Sequence, residues 1–131
     1  AFILSVFSNI ALVPDGGLSW LLARNIGYSK ALEFAIEAKK IGAQECLQLG
    51  IANKVCSPEN LESETQKWAQ AISMRSPQAV SNTKKIMRDS LEKKFIQTYE
   101  DEANTQNSIL GNDEFKEGVA AFFEKRKPVF K

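Results

Sequence analysis

The chain has 131 residues, of which 44% are hydrophobic and 25% charged, as is ordinary for a soluble globular protein. Its formal net charge of +1 gives no electrostatic reason to expect a nucleic acid or a membrane surface as partner. The chain contains no histidine, which excludes a Ser-His-Asp or Cys-His catalytic centre within it and argues against a catalytic metal site. Any acid–base chemistry must therefore use carboxylates, lysine, tyrosine or cysteine.

Residues 1–7 are rich in apolar and β-forming side chains, which predicts a short strand. Because the chain begins in this segment with neither a starting Met nor preceding polar residues, we expect it to be a piece of a longer protein or a chain whose first part was removed. A dense turn signal follows at residues 14–17, with the sequence PDGG. Apolar residues at helical spacing then predict a helix over residues 18–26 that ends at Gly27.

The next segments predict short elements in quick succession. Ser29 is a suitable N-cap for a helix over residues 30–39, and an extended piece is expected at residues 41–42. The segment AQECLQLG predicts a short helix with its last glycine as the C-cap. A short strand is predicted over residues 51–55.

The second half of the chain carries repeated helix signals. Ser57–Pro58 and Ser76–Pro77 each place a capping hydroxyl before a proline that fits a first helical turn. Asn112 or Asp113 can cap the last helix, and Pro128 stops it. The predicted helices cover residues 58–74, 77–87, 91–110 and 113–126.

Cys46 and Cys56 follow no metal-ligand spacing, and Cys46 falls on the apolar side of a helical pattern. Free thiols in a reducing cytoplasm are therefore preferred over a disulfide, and a cytoplasmic location is expected. No apolar run reaches about 18 residues, so no membrane span is predicted.

The turn around Asp15 has two interpretations. Gly16 lets the backbone approach a ligand closely, and the following helix start favours anionic or polarised oxygen. A carboxylate at this place can act as a general base if it reaches a substrate proton. In the simpler interpretation Asp15 only caps the helix, and its spacing alone does not decide between the two.

Several motifs follow one another in order along the chain. The PDGG turn precedes a helix ending in Ile26–Gly27, then come AQEC at residues 43–46 and LGIANKV at residues 49–55. The tail EGVAAFFEKRKPVF occupies residues 117–130. This ordered set resembles the C-terminal half of the crotonase superfamily, the enoyl-CoA hydratase/isomerase family. The VPDGG turn is most similar to that of the enoyl-CoA isomerases of phenylacetyl-CoA catabolism.

The resemblance implies an α/β crotonase fold with a spiral core for the parent protein. This chain would be its mostly α-helical C-terminal half with a few short strands. Residues 1–56 would form the last part of the core. Residues 57–131 would form a C-terminal helical subdomain that takes part in oligomerisation and contacts coenzyme A, in a homotrimer or a hexamer.

The implied substrate is an acyl-CoA thioester, processed through an enolate whose oxygen two backbone N–H groups stabilise. In the family both donors lie upstream of the segment matched here. Because one such donor contributes about 2.7–4 kcal/mol, these residues alone should catalyse poorly. No separate cofactor is implied, since coenzyme A is part of the substrate.

The resemblance also implies roles for particular residues. Phe7 aligns with a catalytic glutamate of the hydratases and can neither ionise nor hold a water, so at this position it is expected only to contact the substrate. Asp15 aligns with the acid or base of isomerases, so it is the candidate catalytic residue. Among family isomerases Pro14 and Gly16 belong to the same substrate-facing turn.

Three further residues have both a structural and a substrate-binding interpretation. Trp20 is either a packing residue or part of the acyl pocket. Phe122 and Lys125 belong by default to a packed, basic helix end. The family resemblance instead places them near the adenine and phosphates of coenzyme A, often across a subunit boundary.

The resulting hypothesis is an enoyl-CoA isomerase that shifts a double bond by proton transfer. One alternative is an enoyl-CoA hydratase with an altered site, against which Phe7 argues. The other is a non-catalytic module that binds acyl-CoA or only assembles.

Overall fold

The computed structural model describes residues 1–130, which form two compact units divided between Asn60 and Leu61. The division predicted between residues 56 and 57 lies close to this boundary, and the roles assigned to the two parts remain predictions. None of the described helices combines the length and the apolar character that crossing a membrane requires.

The first unit combines two short strands with three helices. A 3₁₀ turn at Phe7–Ile10 leads toward the helices, and strands β1 and β2 pair antiparallel with Phe2 opposite Gly42 and Ile3 opposite Ile41. Helices α1 and α2 follow each other with only Gly27 between them. The elements are β1 at Phe2–Ile3, α1 at Leu18–Ile26, α2 at Tyr28–Glu37, β2 at Ile41–Gly42 and α3 at Ala43–Gln48.

The core of this unit joins the inner faces of its helices to the second strand. Its buried apolar side chains are Leu22 of α1, Ala31 and Phe34 of α2, Ile41 of β2 and Cys46 of α3. The predicted apolar position of Cys46 is confirmed, and both cysteines are free thiols. The helical spacing of apolar residues in α1 and α2 therefore produces the packing that holds the PDGG turn in place.

Three sequence predictions for the first unit are wrong. The strand predicted over residues 1–7 is limited to Phe2–Ile3, because the chain enters the 3₁₀ turn at Phe7. The helix predicted over residues 30–39 runs from Tyr28 to Glu37, so Ser29 caps no helix, and it ends early because Ala38 takes a left-handed conformation at φ 49°. The strand predicted over residues 51–55 does not form.

The end of α3 explains the missing strand. The N–H groups of Ile51 and Ala52 both donate to the Cys46 carbonyl, at 2.9 and 3.0 Å. Gly50 takes the left-handed conformation at φ 73°, and its N–H bonds to Leu47 at 3.2 Å, as in a Schellman helix end. The first two backbone donors of the predicted strand are therefore already used, and the predicted glycine stop of α3 is confirmed.

The second unit is helical throughout its described part. Ser76 caps α5 through a 2.9 Å bond from the Ala79 N–H, and Asn112 caps α7 through a 2.7 Å bond from the Phe115 N–H, as predicted. The helices are α4 at Leu61–Ser73, α5 at Pro77–Asp89, α6 at Phe95–Ile109 and α7 at Asp113–Phe123.

Several helix boundaries in this unit differ from the prediction. Helix α4 begins at Leu61 rather than residue 58, because Pro58–Asn60 form a 3₁₀ turn, and α5 continues to Asp89 rather than ending at residue 87. Helix α6 begins at Phe95 rather than residue 91, because Ser90–Glu92 form a 3₁₀ turn and Lys94 is an extended N-cap. Helix α7 ends at Phe123 rather than near Arg126, because Lys125 takes a left-handed conformation at φ 55°.

The helices of the second unit bury little apolar surface by themselves. From Leu61 to residue 130, Ala121 is the one apolar side chain that is fully buried, at 1% exposure. Large side chains such as Phe95, at 84%, and Phe122, at 78%, are open. Exposed apolar surface on this scale is typical of helices that pack against another chain or segment.

Candidate functional site

The turn before α1 presents the Asp15 carboxylate. Gly16 and Gly17 both have positive φ, at 60° and 85°, and the Leu18 N–H donates to the Asp15 carbonyl at 3.0 Å. Such a conformation at two successive residues is open to glycine and costly for most others. The N-cap of α1 is Gly17, and no side chain caps this helix. Asp15 therefore enters the turn through its carbonyl, while its side chain is exposed and caps nothing.

An apolar groove lies beside this turn. It has a volume of about 120 Å³ and runs between α1 and α2, starting at Pro14, the residue before Asp15. The rest of its wall is mostly aliphatic or aromatic, and Tyr28 stands at its edge with 72% exposure. The other lining residues are Leu18, Ser19, Leu22, Ala23, Ala31, Leu32 and Ala35. The groove is thus a surface that suits a hydrocarbon chain, and Asp15 follows its lining residue Pro14 in the sequence.

Phe7 and Trp20 occupy different surroundings from this groove. Phe7 is half-buried in the 3₁₀ turn, and its carbonyl accepts the Leu12 N–H at 2.9 Å. The Trp20 ring is stacked by the Arg24 guanidinium, which lies 3.8 Å from the ring centroid. Neither side chain lines the groove, and the predicted roles of both in substrate binding stay predictions.

The end of α7 presents a second group of candidate residues. Lys125 donates its N–H to the Phe122 carbonyl at 3.3 Å, and the Arg126 N–H donates to Ala121 at 3.1 Å, which is a Schellman end. A left-handed lysine at such an end costs about 1–2 kcal/mol relative to an ordinary helical conformation. The Lys125 side chain is exposed, and Phe122 forms an edge-to-face pair with Phe123 at 5.7 Å.

A network of ion pairs surrounds this helix end. The Arg126 guanidinium binds both Glu117 carboxylate oxygens, at 2.6 and 2.9 Å, and its Nε donates to Glu124 at 2.5 Å. The Val129 N–H also donates to Glu117, at 2.7 Å. The Arg126 contact, followed by the Val129 bond, lowers the pKa of Glu117 from 4.5 to about 2. We call Glu117, Glu124 and Arg126 the tail clamp.

A further cluster ties the starts of α5 and α7 together. The Ser76 hydroxyl donates to Glu114, whose carboxylate also accepts the Gln78 N–H at 3.4 Å. The Asn112 amide donates to the side-chain carbonyl of Gln78. These bonds hold the second unit together. Within residues 1–130, no group of three or more His, Cys, Asp or Glu side chains is placed to hold a metal ion.

Sequence reasoning found the caps but missed the pairings. Glu117 and Arg126 are nine residues apart, outside the three- and four-residue spacing that places side chains together on a helix. They meet because the chain turns back after Phe123. Arg24 and Trp20 do have helical spacing, and that i, i+4 pattern could have revealed their stacking.

Comparisons with known proteins place the whole chain in one group. A family model described as enoyl-CoA hydratase/isomerase matches residues 1–131. A trans-2-decenoyl-[acyl-carrier-protein] isomerase of Streptococcus mutans is 37% identical over 130 residues, which cover 97% of this chain and 48% of that protein. A probable enoyl-CoA hydratase of Rhodobacter capsulatus is 31% identical over 130 residues, covering 99% of this chain and 51% of that protein.

A solved structure gives the same picture for the fold. A crystal structure of an enoyl-CoA hydratase from a Polaromonas species superposes with a TM-score of 0.94 at 31% sequence identity. The match covers 100% of this chain and 51% of that one. The chain thus spans about half the length of the relatives it matches, and the crotonase fold with a mostly helical C-terminal half is confirmed.

Proposed function

Because the chain belongs to the enoyl-CoA hydratase/isomerase family, we propose that it forms the C-terminal half of an enzyme that isomerises the double bond of an enoyl thioester. The observation that carries this proposal is the Asp15 carboxylate, exposed in a two-glycine turn and free of any capping role. The apolar groove that begins at Pro14 supports it, since an acyl chain needs such a surface near the proton-transfer group.

The proposed mechanism is a proton shuttle. Asp15 as carboxylate takes a proton from the α-carbon of a 3-enoyl ester or, in the opposite direction, from the γ-carbon of a 2-enoyl ester. The electron pair moves onto the thioester oxygen as a dienolate, and the protonated Asp15 returns the proton at the other carbon. The net reaction moves one double bond and consumes nothing. Stabilisation of the dienolate oxygen would come from the backbone donors that the family resemblance places upstream.

The choice between isomerase and hydratase rests on Phe7. Hydration needs a group that activates water, and the half-buried phenyl ring of Phe7 has no atom that can accept a proton. A hydratase with its water-activating group elsewhere is the second candidate, favoured by the relatives that carry the hydratase name. Measuring both reactions on the same preparation separates the two candidates.

The end of α7 is proposed to contact the thioester carrier. An exposed aromatic ring at Phe122 suits stacking on a planar base, and the exposed ammonium of Lys125 suits a phosphate. Both features fit the nucleotide end of coenzyme A. Because the Streptococcus relative is named for an acyl-carrier-protein substrate, thioesters of both carriers should be assayed.

The proposal is tested by Asp15→Asn in the full-length protein that carries this chain. Isomerisation should fall by about 10²–10⁴-fold, the usual contribution of a positioned general acid or base. Stability should not change, because the carboxylate caps nothing. Asp113→Asn, the same change at an exposed carboxylate of α7, is the matched control and should keep full activity. Equal turnover of Asp15→Asn and wild type would remove Asp15 from the mechanism.

We also propose that the parent protein is a homotrimer or a hexamer. The support is the open apolar surface of the second unit, which a packed partner would cover. A monomer in light scattering at high micromolar concentration would contradict this assembly. Such a result together with absent turnover would favour the non-catalytic module.

A further inference from the structure

The backbone at Lys125 is held in place from both sides. Glu124, the residue before it, and Arg126, the residue after it, are joined by a 2.5 Å ion pair. Arg126 is in turn bound to Glu117, within α7, through two parallel bonds. A bidentate arginine–carboxylate pair fixes direction as well as distance, which a single contact does not. The tail clamp therefore spans Lys125 without touching its ammonium group.

The side chain of Lys125 is left available by this arrangement. It is exposed, and none of the described hydrogen bonds or ion pairs involves its ammonium group. Every carboxylate of the clamp is instead engaged by Arg126. Arg126 thus offsets one of the two negative charges of the clamp, and the exposed Lys125 ammonium beside it is a cation that an approaching anion can bind.

The residues that follow Arg126 are also held against α7. Glu117 accepts the Val129 N–H, and the Phe130 ring lies 3.9 Å from the place where a side-chain carbon on Gly118 would stand. Val129 and Phe130 therefore lie back along α7, with the Phe130 ring beside Gly118. The left-handed conformation at Lys125 is the bend that returns the chain to this position.

We propose that Glu117 and Arg126 are positioning residues that aim the Lys125 ammonium at the phosphates of the thioester carrier. This inference rests on the proposed function, in which Lys125 meets the nucleotide end of coenzyme A. Glu117 and Arg126 act through Lys125 and touch no substrate. Their removal changes how well the carrier is held and leaves the proton transfer itself intact.

The experiment compares an enoyl-CoA with the matching enoyl-pantetheine, which lacks the nucleotide and its phosphates. Lys125→Ala should raise KM for the CoA ester about 10-fold, as expected for one lost charge-assisted contact. Glu117→Gln should raise the same KM about 3- to 10-fold with kcat unchanged. Neither substitution should change KM for the pantetheine ester. Glu100→Gln, an equal charge change on an exposed position of α6, is the control.

The double variant Glu117→Gln/Lys125→Ala gives the sharpest result. If the clamp acts through the lysine, the double variant should be no worse on the CoA ester than Lys125→Ala alone. Additive losses would overturn the inference. Arg126→Lys keeps the charge but loses the two parallel bonds, so its KM for the CoA ester should rise as in Glu117→Gln. It replaces Glu117→Gln in the test if that variant misfolds.

Each failure has its own signature. A wild-type protein that turns over neither ester refutes the proposed function, and the inference falls with it. Equal KM values of the wild type for both esters refute the phosphate contact of Lys125. If Lys125→Ala raises KM for the CoA ester as expected while Glu117→Gln and Arg126→Lys keep wild-type kinetics, only the positioning role of the clamp is refuted. The phosphate contact of Lys125 would stand. Equal losses of kcat on both esters would make the clamp merely structural.

Discussion

The two-glycine turn before α1 offers a clean test of how the structure presents Asp15. Gly17 has φ 85° and ψ 6°, and a Cβ built there meets no atom within 4 Å. Gly17→Ala therefore introduces backbone strain without a steric clash. The left-handed conformation costs an alanine about 1–2 kcal/mol. Against this, alanine reduces the freedom of the unfolded chain by about 0.4–1 kcal/mol, so the free energy of unfolding should fall by about 1 kcal/mol.

Gly42→Ala is the matched control. Gly42 is equally open, since a Cβ added there would also meet no atom within 4 Å, but its φ of −73° and ψ of 166° suit any residue. The same substitution there should stabilise the protein by about 0.4–1 kcal/mol. The two variants thus differ in the sign of their effect because of one dihedral angle. Only Gly17→Ala should also lower isomerase turnover, since it alone strains the turn that carries Asp15.

The assay is denaturant unfolding of the full-length protein, with the midpoint compared at constant slope. The expected result is a lower midpoint for Gly17→Ala and a higher one for Gly42→Ala. Equal shifts in the two variants would refute the backbone argument. A stable Gly17→Ala with wild-type turnover would mean that this turn does not fix the position of Asp15.

The charge and thiol chemistry gives two more predictions. Glu117 has its pKa lowered from 4.5 to about 2, so its contribution to stability is complete above pH 4.5 and is lost as the pH falls toward 2. The difference in unfolding free energy between wild type and Glu117→Gln should shrink over that window in acid titrations, and a constant difference would contradict the ion pair. Of the two thiols, half-buried Cys56 should react with a thiol reagent before buried Cys46, and Cys56→Ser should remove the fast phase. A fast phase that survives Cys56→Ser would contradict the burial of Cys46.

The sequence predicted those elements whose signals are local. Helix α1 has the predicted bounds because apolar spacing and a terminal glycine agree with each other. The caps Ser76 and Asn112 are predictable because a capping side chain bonds to its own helix within three residues. The strand expected over residues 51–55 failed because its β-forming composition says nothing about amides already bound to α3.

The candidate site divides in the same way. The turn at residues 14–17 was predictable from its sequence. Whether Asp15 caps α1 depends on which of three successive residues is the N-cap, and in the structure the N-cap is Gly17. The tail clamp could not be predicted from spacing, because Glu117 and Arg126 meet only after the chain reverses. The reversal depends on the left-handed backbone conformation of Lys125, and a prediction from sequence would expect glycine in that conformation.

The end of α7 at Lys125 can be compared with another helix end in the same chain. Helices α3 and α7 end in the same Schellman pattern, with Gly50 in the left-handed position of one and Lys125 in that of the other. A glycine would end α7 at no conformational cost, so the lysine carries strain that the helix end does not require. Strain alone identifies no function, because Ala11 and Ala38 are left-handed too, at φ 56° and 49°.

What distinguishes Lys125 is the combination of strain with restraint. Its two neighbours are ion-paired to each other, and the pair is anchored to Glu117 in the helix. An ion pair at a surface contributes little to stability, so stabilising the fold is a weak reason to surround a strained residue with one. Fixing the backbone from which an exposed cation extends is a stronger reason, because an anion-binding group gains affinity when its geometry is set before the ligand arrives.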